Sequence, residues 1–184
     1  MNLVTSTFGL VGRVQKGDGD AFTLLFDQYS RRLAVLIHYR LSDSLRATLE
    51  VDDVLQEVFL RAFRDIGSFQ YRAPGSFMNW LSGIANHVII DLARFRGRQQ
   101  RQAVDTREPV DTTTPSRVLR QKEDLAGLIE KLNILSDEYR EIILLAKVEG
   151  LSTGEMAERL GKSREAVALL LHRAIKRFRA VALP

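Results

Sequence analysis

Three carboxylates, Asp52, Asp53 and Glu57, fall close together in the string DDVLQEVFLRAF, with Gln56 among them. Acids so spaced could ligate a divalent cation or share acid–base work. Either use needs further ligands or a partner base, and none accompanies them. The chain of 184 residues has no cysteine and three histidines, His38, His87 and His172, no two at the spacing of a zinc-binding helix. Disulfides and thiolate nucleophiles are therefore excluded. The Gly-Asp pairs of KGDGD resemble the start of a calcium loop, but no further oxygen ligands or closing Glu follow. They suit a turn and an N-cap at Asp20 instead. With no convergent acid, base and nucleophile, no metal, cofactor or enzymatic activity is expected. In DDVLQEVF the apolar Val54, Leu55, Val58 and Phe59 pack inward. That leaves Asp52, Asp53, Gln56 and Glu57 on the outer surface at a helix start, where carboxylates favour the helix dipole. Such a face is either simply solvated or a docking surface.

The second kind of chemistry is recognition of a polyanion. The formal charge of +4 is small, but residues 61–101 carry seven basic and two acidic side chains, and residues 162–184 six and one. The segments before and between these blocks are net acidic. Separated basic blocks attract phosphates and release counterions on binding, although Lys and Arg can also merely solvate helix faces. The string FQYRAPGSFMNW mixes aromatics, Arg72 and a Pro-Gly turn. Exposed bases stack on aromatic side chains at about 1–3 kcal/mol per base, so such a loop could capture one. Phe69, Phe77 and Trp80 fit the apolar stripe and read as core; Tyr71 and Arg72 lie off it and read as loop contacts. Downstream, Arg94, Arg96, Arg98 and Arg101 form a run without an intervening acid, suited to backbone phosphates.

A more specific arrangement spans Thr153 to Arg179. Ala157 is small where two helices approach, Gly161 can take the left-handed conformation of a tight turn, Ser163 caps the next helix, and Val167 points back into the angle between them. Leu160, Leu170, Leu171, Ala174, Ile175 and Phe178 complete the apolar face. This predicts a helix-turn-helix, whose second helix enters the major groove, with a plain helical hairpin as the alternative.

Helical periodicity positions all these residues, and strand alternation is nearly absent. Phe22, Leu25, Phe26, Tyr29, Leu33, Leu36 and Ile37 mark one helix. Val51, Val54, Leu55, Val58, Phe59, Ala62 and Phe63 mark another, ending near Gly67. Phe77, Trp80, Leu81, Ile84, Ala85, Val88, Ile89 and Leu92 mark a third, and Phe8, Leu10, Val11 and Val14 could form one more at the start. Between Arg98 and Gln121 the pattern gives way to a polar stretch with Pro109 and Pro115, read as a linker. Leu125, Leu128, Ile129, Leu132 and Leu135 open a second helical unit, in which Ser136-Asp137 caps a helix stopping near Gly150. The expectation is an all-α protein. Two small helical domains, residues 1–97 and 122–184, are joined by a flexible linker, 98–121, and the second ends in the helix-turn-helix. No apolar run approaches the roughly 20 residues of a membrane span, and MNLVTSTFGLVGRV lacks a signal-peptide pattern. A cytoplasmic location is expected.

Taken together, GDAFTLLFDQYSRRL, DDVLQEVFLRAF, FMNWLSGIANHVIIDLARFRGR and the helix-turn-helix resemble, in that order, a bacterial sigma factor of the extracytoplasmic-function group, which has only regions two and four. The resemblance covers Gly17 to Arg98 and Leu125 to Arg179. It implies a subunit that directs RNA polymerase to promoters. Asp52, Asp53, Gln56 and Glu57 would dock on the β′ coiled coil of core polymerase, with β as a further contact. Tyr71, Arg72, Asn86, His87, Arg94, Arg96 and Arg98 would read and melt the −10 element, the loop Gln70 to Ser76 taking a flipped base. Lys162, Ser163, Arg164, Glu165, His172, Arg173 and Lys176 would contact the −35 element. Promoter DNA and an anti-sigma protein are the other implied partners. Two departures stand out. Family members usually carry Asn where this chain has His87, and Asn86 lies one place early, about 100° around a helix. Where the family's recognition helix commonly shows Lys/Arg-Ser-Arg, this chain has Ala168, Leu169 and Leu170; Leu169 is expected to face outward. The alternative reading is a helix-turn-helix repressor or activator that binds duplex DNA without docking on core.

Overall fold

The computed structural model describes residues 6–101 and 115–182, with side chains described for residues 6–96 and 123–182. Every regular element among them is helical. The first unit comprises α1 (Thr7–Val14), α2 (Gly19–Arg40), the short α3 (Asp43–Arg46), α4 (Val51–Asp65) and α5 (Ser76–Arg101). The start of α2 corrects one expectation. The capping residue is Asp18, whose carboxylate accepts from the Ala21 N–H and pairs with Arg13 at 2.8 Å, while Asp20 lies inside the first turn. Gly17 explains the shift: its φ of +92° completes the turn there, leaving Asp18 as the last extended residue.

Helix α2 is the spine of this unit. Leu25, Leu33 and Ile37 are wholly buried against α1, α4 and α5, each such side chain contributing about 1.5–3 kcal/mol of transfer free energy. Phe77, at the start of α5, sits among Tyr29, Phe69 and Trp80 with ring centroids 5.0–5.6 Å away. Of the three aromatics read as core, Phe69 and Phe77 are buried and Trp80 is half-buried against them. Gln15 ties the turn after α1 to the end of α4 by donating to the Ile66 and Phe69 carbonyls at 2.9 and 2.8 Å.

The second unit contains α6 (Pro115–Asn133), α7 (Asp137–Ile143), α8 (Thr153–Leu160) and α9 (Arg164–Ala182). Helix α7 widens into a π turn, Leu144–Glu149, ended by Gly150 at φ +81°. Helix enters both ends of the stretch read as a linker. Helix α5 continues to Arg101, and α6 starts at Pro115, a residue well suited to a first helical position. Residues 102–114 of that linker lie outside the described residues.

The sequence pattern placed only a tether between the two bundles; in the structure they also pack face to face. Helix α2 lies against α6 and the π turn, which also meets α5. Glu149, its side chain only 7% exposed, accepts from Arg40 of the first unit at 2.9 Å and from Arg159 of its own at 3.1 Å. Arg32 donates to the Val148 carbonyl at 2.9 Å. The Tyr39 hydroxyl bonds Asn133 at 2.9 Å under the Arg140 guanidinium, which lies 5.5 Å from its ring. At Gly75 a β-carbon would stand 3.3 Å from the Gly150 carbonyl oxygen, so the backbones touch there.

Candidate nucleic-acid interface

Helix α4 presents the acidic candidates as one face. Asp53 and Gln56 are exposed, Asp52 and Glu57 half-buried. Glu57 is also held by Arg61, at 2.8 Å, and Arg61 bridges to Asp91 of α5 at the same distance. That contact, chiefly its hydrogen bond, keeps the Asp91 carboxyl below its ordinary range. Among the described residues no group of three acids, histidines or cysteines is arranged to hold a metal ion. Past Glu57 the face turns apolar: Leu60 is 59% and Phe63 51% exposed. Phe63, one of the residues whose spacing marks this helix, covers Phe22 edge-on at 4.8 Å from the outside.

The loop before α5 closes on itself: the Ser76 hydroxyl donates to the Ala73 carbonyl at 2.8 Å, and Gly75 has φ +94°. Arg72 is exposed, as expected of a loop contact. Tyr71 is less free than expected, being half-buried with its ring 5.5 Å from Phe8. Phe8 belongs to α1, a helix to which the sequence alone assigned no role.

Asn86 and His87 prove to belong to different faces of α5. Both are exposed. The Asn86 amide oxygen accepts from Arg40 at 2.7 Å, on the side of the second unit. His87 stands with Asp91 and Arg94 on the side of α4, close enough for both to lower the Asp91 pKa electrostatically. Arg94 is exposed and Arg96 half-buried; the side chain of Arg98 lies outside the described residues. The structure therefore groups His87 with Arg94 and groups Asn86 with Arg40, a residue the sequence reading missed. Adjacent positions on a helix lie about 100° apart, so the two side chains leave α5 in different directions.

The helix-turn-helix has the predicted sterics. Ala157 and Val167 are buried, and Gly161 turns the chain at φ +61°. Ser163 accepts from the Ala166 N–H at 3.2 Å, so its hydroxyl is occupied as a cap. Glu165 is held in ionised form by its own backbone N–H and then by Ser163, which gives it a local capping role as well. Arg164 leans over Gly154, and Lys162 pairs with Glu138 at 3.2 Å. Ala168, Leu169, His172, Arg173 and Lys176 remain exposed on α9, Leu169 by 50%. Its outward direction is as expected.

A family model described as ECF sigma factor matches residues 4–180. The chain belongs to the ECF sigma factor family. Such a match spans both helical units and the segment between them. The ECF sigma factor BldN of Streptomyces coelicolor is 34% identical over 171 residues, covering 91% of this chain and 62% of its own length. The chain thus spans less than two thirds of that relative. The sigma-H factor of Pseudomonas aeruginosa is 30% identical over 179 residues, covering 86% of this chain and 90% of the relative. Among solved structures, CnrH in complex with the cytosolic domain of CnrY aligns over 94% of both chains at 26% identity and a TM-score of 0.47. Within this ECF chain no described helix is long and apolar enough to cross a membrane.

Proposed function

We propose that this chain is a dissociable promoter-specificity subunit of RNA polymerase, without catalytic chemistry of its own and acting in the cytoplasm. In this reading the first bundle docks on core polymerase through α4. Asp53 and Gln56, the exposed members of the acidic face, meet the β′ coiled coil first, with Asp52 and Glu57 behind them and Leu60 continuing the contact; β supplies a further surface. Arg72 and Tyr71 line the loop that takes an unstacked base of the −10 element, an exchange of base stacking for contact with a side chain. His87 and Arg94, on the open side of α5, follow the same strand, with Arg96 and Arg98 on its phosphates.

The second bundle reads the −35 element with α9. His172, Arg173 and Lys176 sit on its exposed stripe and suit base edges and phosphates. Leu169 suits a thymine methyl. Lys162 reaches a phosphate by exchanging its exposed partner Glu138 for DNA, an ion pair weak enough to give way. Ser163, Arg164 and Glu165 serve the position of the helix more than the readout. An anti-sigma protein covering these surfaces is the regulatory partner this family membership suggests.

The observation that carries the reading is one chain holding both an acidic-to-apolar face on α4, with Asp53, Gln56, Leu60 and Phe63 exposed, and an open stripe on a sterically complete helix-turn-helix. A repressor needs only the second. The test is transcription reconstituted from core polymerase and this chain on a genomic fragment library, with start-site mapping and a core pull-down. Defined starts that vanish with Asp53→Arg are expected. Failure of the chain to bind core, or tight binding to palindromic duplex without it, would overturn the proposal.

A further inference from the structure

Where the two bundles meet, an apolar cavity of about 430 Å³ remains. Its wall is built from both: Val35 of α2, Leu132 of α6, Ile143 of α7, and Ile175 and Phe178 of α9. Its rim has the opposite character. Arg31, Arg32, Lys147 and Arg179 stand around it, and no carboxylate among the described residues lines it. None of these four makes an ion pair among the described residues. Arg32 uses one terminal nitrogen on the Val148 carbonyl, while its buried Nε–H has no acceptor. Four positive groups around a hydrocarbon hollow repel one another, and an anion placed among them relieves that repulsion.

We propose that this cavity binds a single-chain amphiphilic carboxylate of the fatty-acid type, with its tail against Val35, Leu132 and Phe178 and its head at the basic rim. The volume falls in the range of small-molecule pockets, about 300–1,000 Å³, and accommodates an alkyl chain of medium length. Charge complementarity selects the acid over the alcohol or the amine. Because the wall is shared, an occupant bridges α2 to α6, α7 and α9 and stabilises the packed arrangement in which Arg40 holds Glu149 and Gly150 lies on the Gly75 loop. A lowered capacity to open promoters would follow, and that consequence alone rests on the promoter reading.

The test is calorimetric titration of the full chain with octanoate, decanoate and dodecanoate below their micelle concentrations, beside dodecan-1-ol and dodecyltrimethylammonium. Saturable one-to-one binding is expected, tightening about fourfold per added methylene until the cavity is full. Dodecanoate should raise the melting temperature, as any ligand of the folded state does. Lys147→Glu combined with Arg179→Glu, both on exposed side chains, should weaken dodecanoate binding at least tenfold and leave dodecan-1-ol unaffected. Leu128→Trp, which fills the hollow from its half-buried edge, should abolish binding of both while circular dichroism stays native. Equal affinity for the acid, alcohol and amine, indifference to the charge reversal, or no saturable binding of dodecanoate would each overturn the proposal. None of these readouts involves polymerase or DNA, so the proposal stands or falls apart from the promoter reading.

Discussion

Replacing Glu149 by Ala should uncouple the two bundles. Its carboxylate is, among the described residues, the one acid paired with both Arg40 and Arg159, and its side chain is 7% exposed against 16% for Arg40. Removing one member of a buried pair leaves the other charge desolvated, at about 3–5 kcal/mol. Burial already depresses the Arg40 pKa, with Glu149 opposing it, so Arg40 is the group that would be stranded. It keeps its bonds to the Ser82 carbonyl and to Asn86, and Arg159 is half in water. Both facts place the loss at the lower end, about 3 kcal/mol, or roughly a hundredfold in the ratio of packed to unpacked forms.

The assay follows from composition. Trp80 is the only tryptophan, and it sits in the aromatic core of the first unit. Its fluorescence therefore reports that bundle alone, while far-ultraviolet circular dichroism reports every helix. Coupled bundles unfold in urea with coincident transitions. In Glu149→Ala the dichroism transition should begin earlier and separate from the fluorescence transition. Glu149→Gln, which retains an acceptor for Arg40, should fall between. Coincident and unshifted transitions in Glu149→Ala would refute the reasoning, because the contact would then contribute nothing to holding the units together.

Three other substitutions test separate parts of the account. Asp53→Arg should leave the melting temperature within experimental scatter, since the side chain is exposed, yet remove core-polymerase binding in a pull-down; retained binding counts against docking through α4. Gly161→Ala places a β-carbon in open space but at φ +61°, so its cost is backbone strain of roughly 1–2 kcal/mol, read as a lower urea midpoint for the dichroism transition with DNA contacts untouched. His38 has its pKa lowered, by burial first and by Arg46 second. Protonation thus favours the unfolded chain, and stability should decline as pH falls below about 6.5, levelling off below the folded-state pKa; His38→Gln should abolish that slope in melting curves recorded between pH 5 and 7.

Most helices were legible because their buried positions obey a single period. Leu25, Leu33 and Ile37, or Val54, Leu55 and Val58, could be assigned an inner face without any knowledge of what they touch. The turn of the helix-turn-helix was legible for a steric reason: a small residue, a glycine and a branched residue at fixed offsets satisfy one geometry and few others. The error at the start of α2 arose where a local preference met two equal candidates. KGDGD offers two aspartates as caps, and only the backbone at Gly17 decides between them. Phe63 carries the right period but sits at the margin of the stripe, where a single position separates buried from bare.

The contact between the bundles left a different kind of trace. Glu149 closes the π turn just before Gly150, at a helix end whose dipole disfavours an anion. An acid in that place, with no cation in reach along its own helix, is locally unfavourable and needs a partner from elsewhere in the fold. Arg40, at the end of α2, is the mirror case: a cation suited to its own helix terminus yet mostly buried. Each residue alone reads as a surface charge, and only their juxtaposition explains both. What periodicity cannot supply is this pairing between units, because it depends on how two separate helical units pack rather than on either helix. Arg40 also donates to Asn86 and to the Ser82 carbonyl within its own unit, so one guanidinium joins α2, α5 and the π turn.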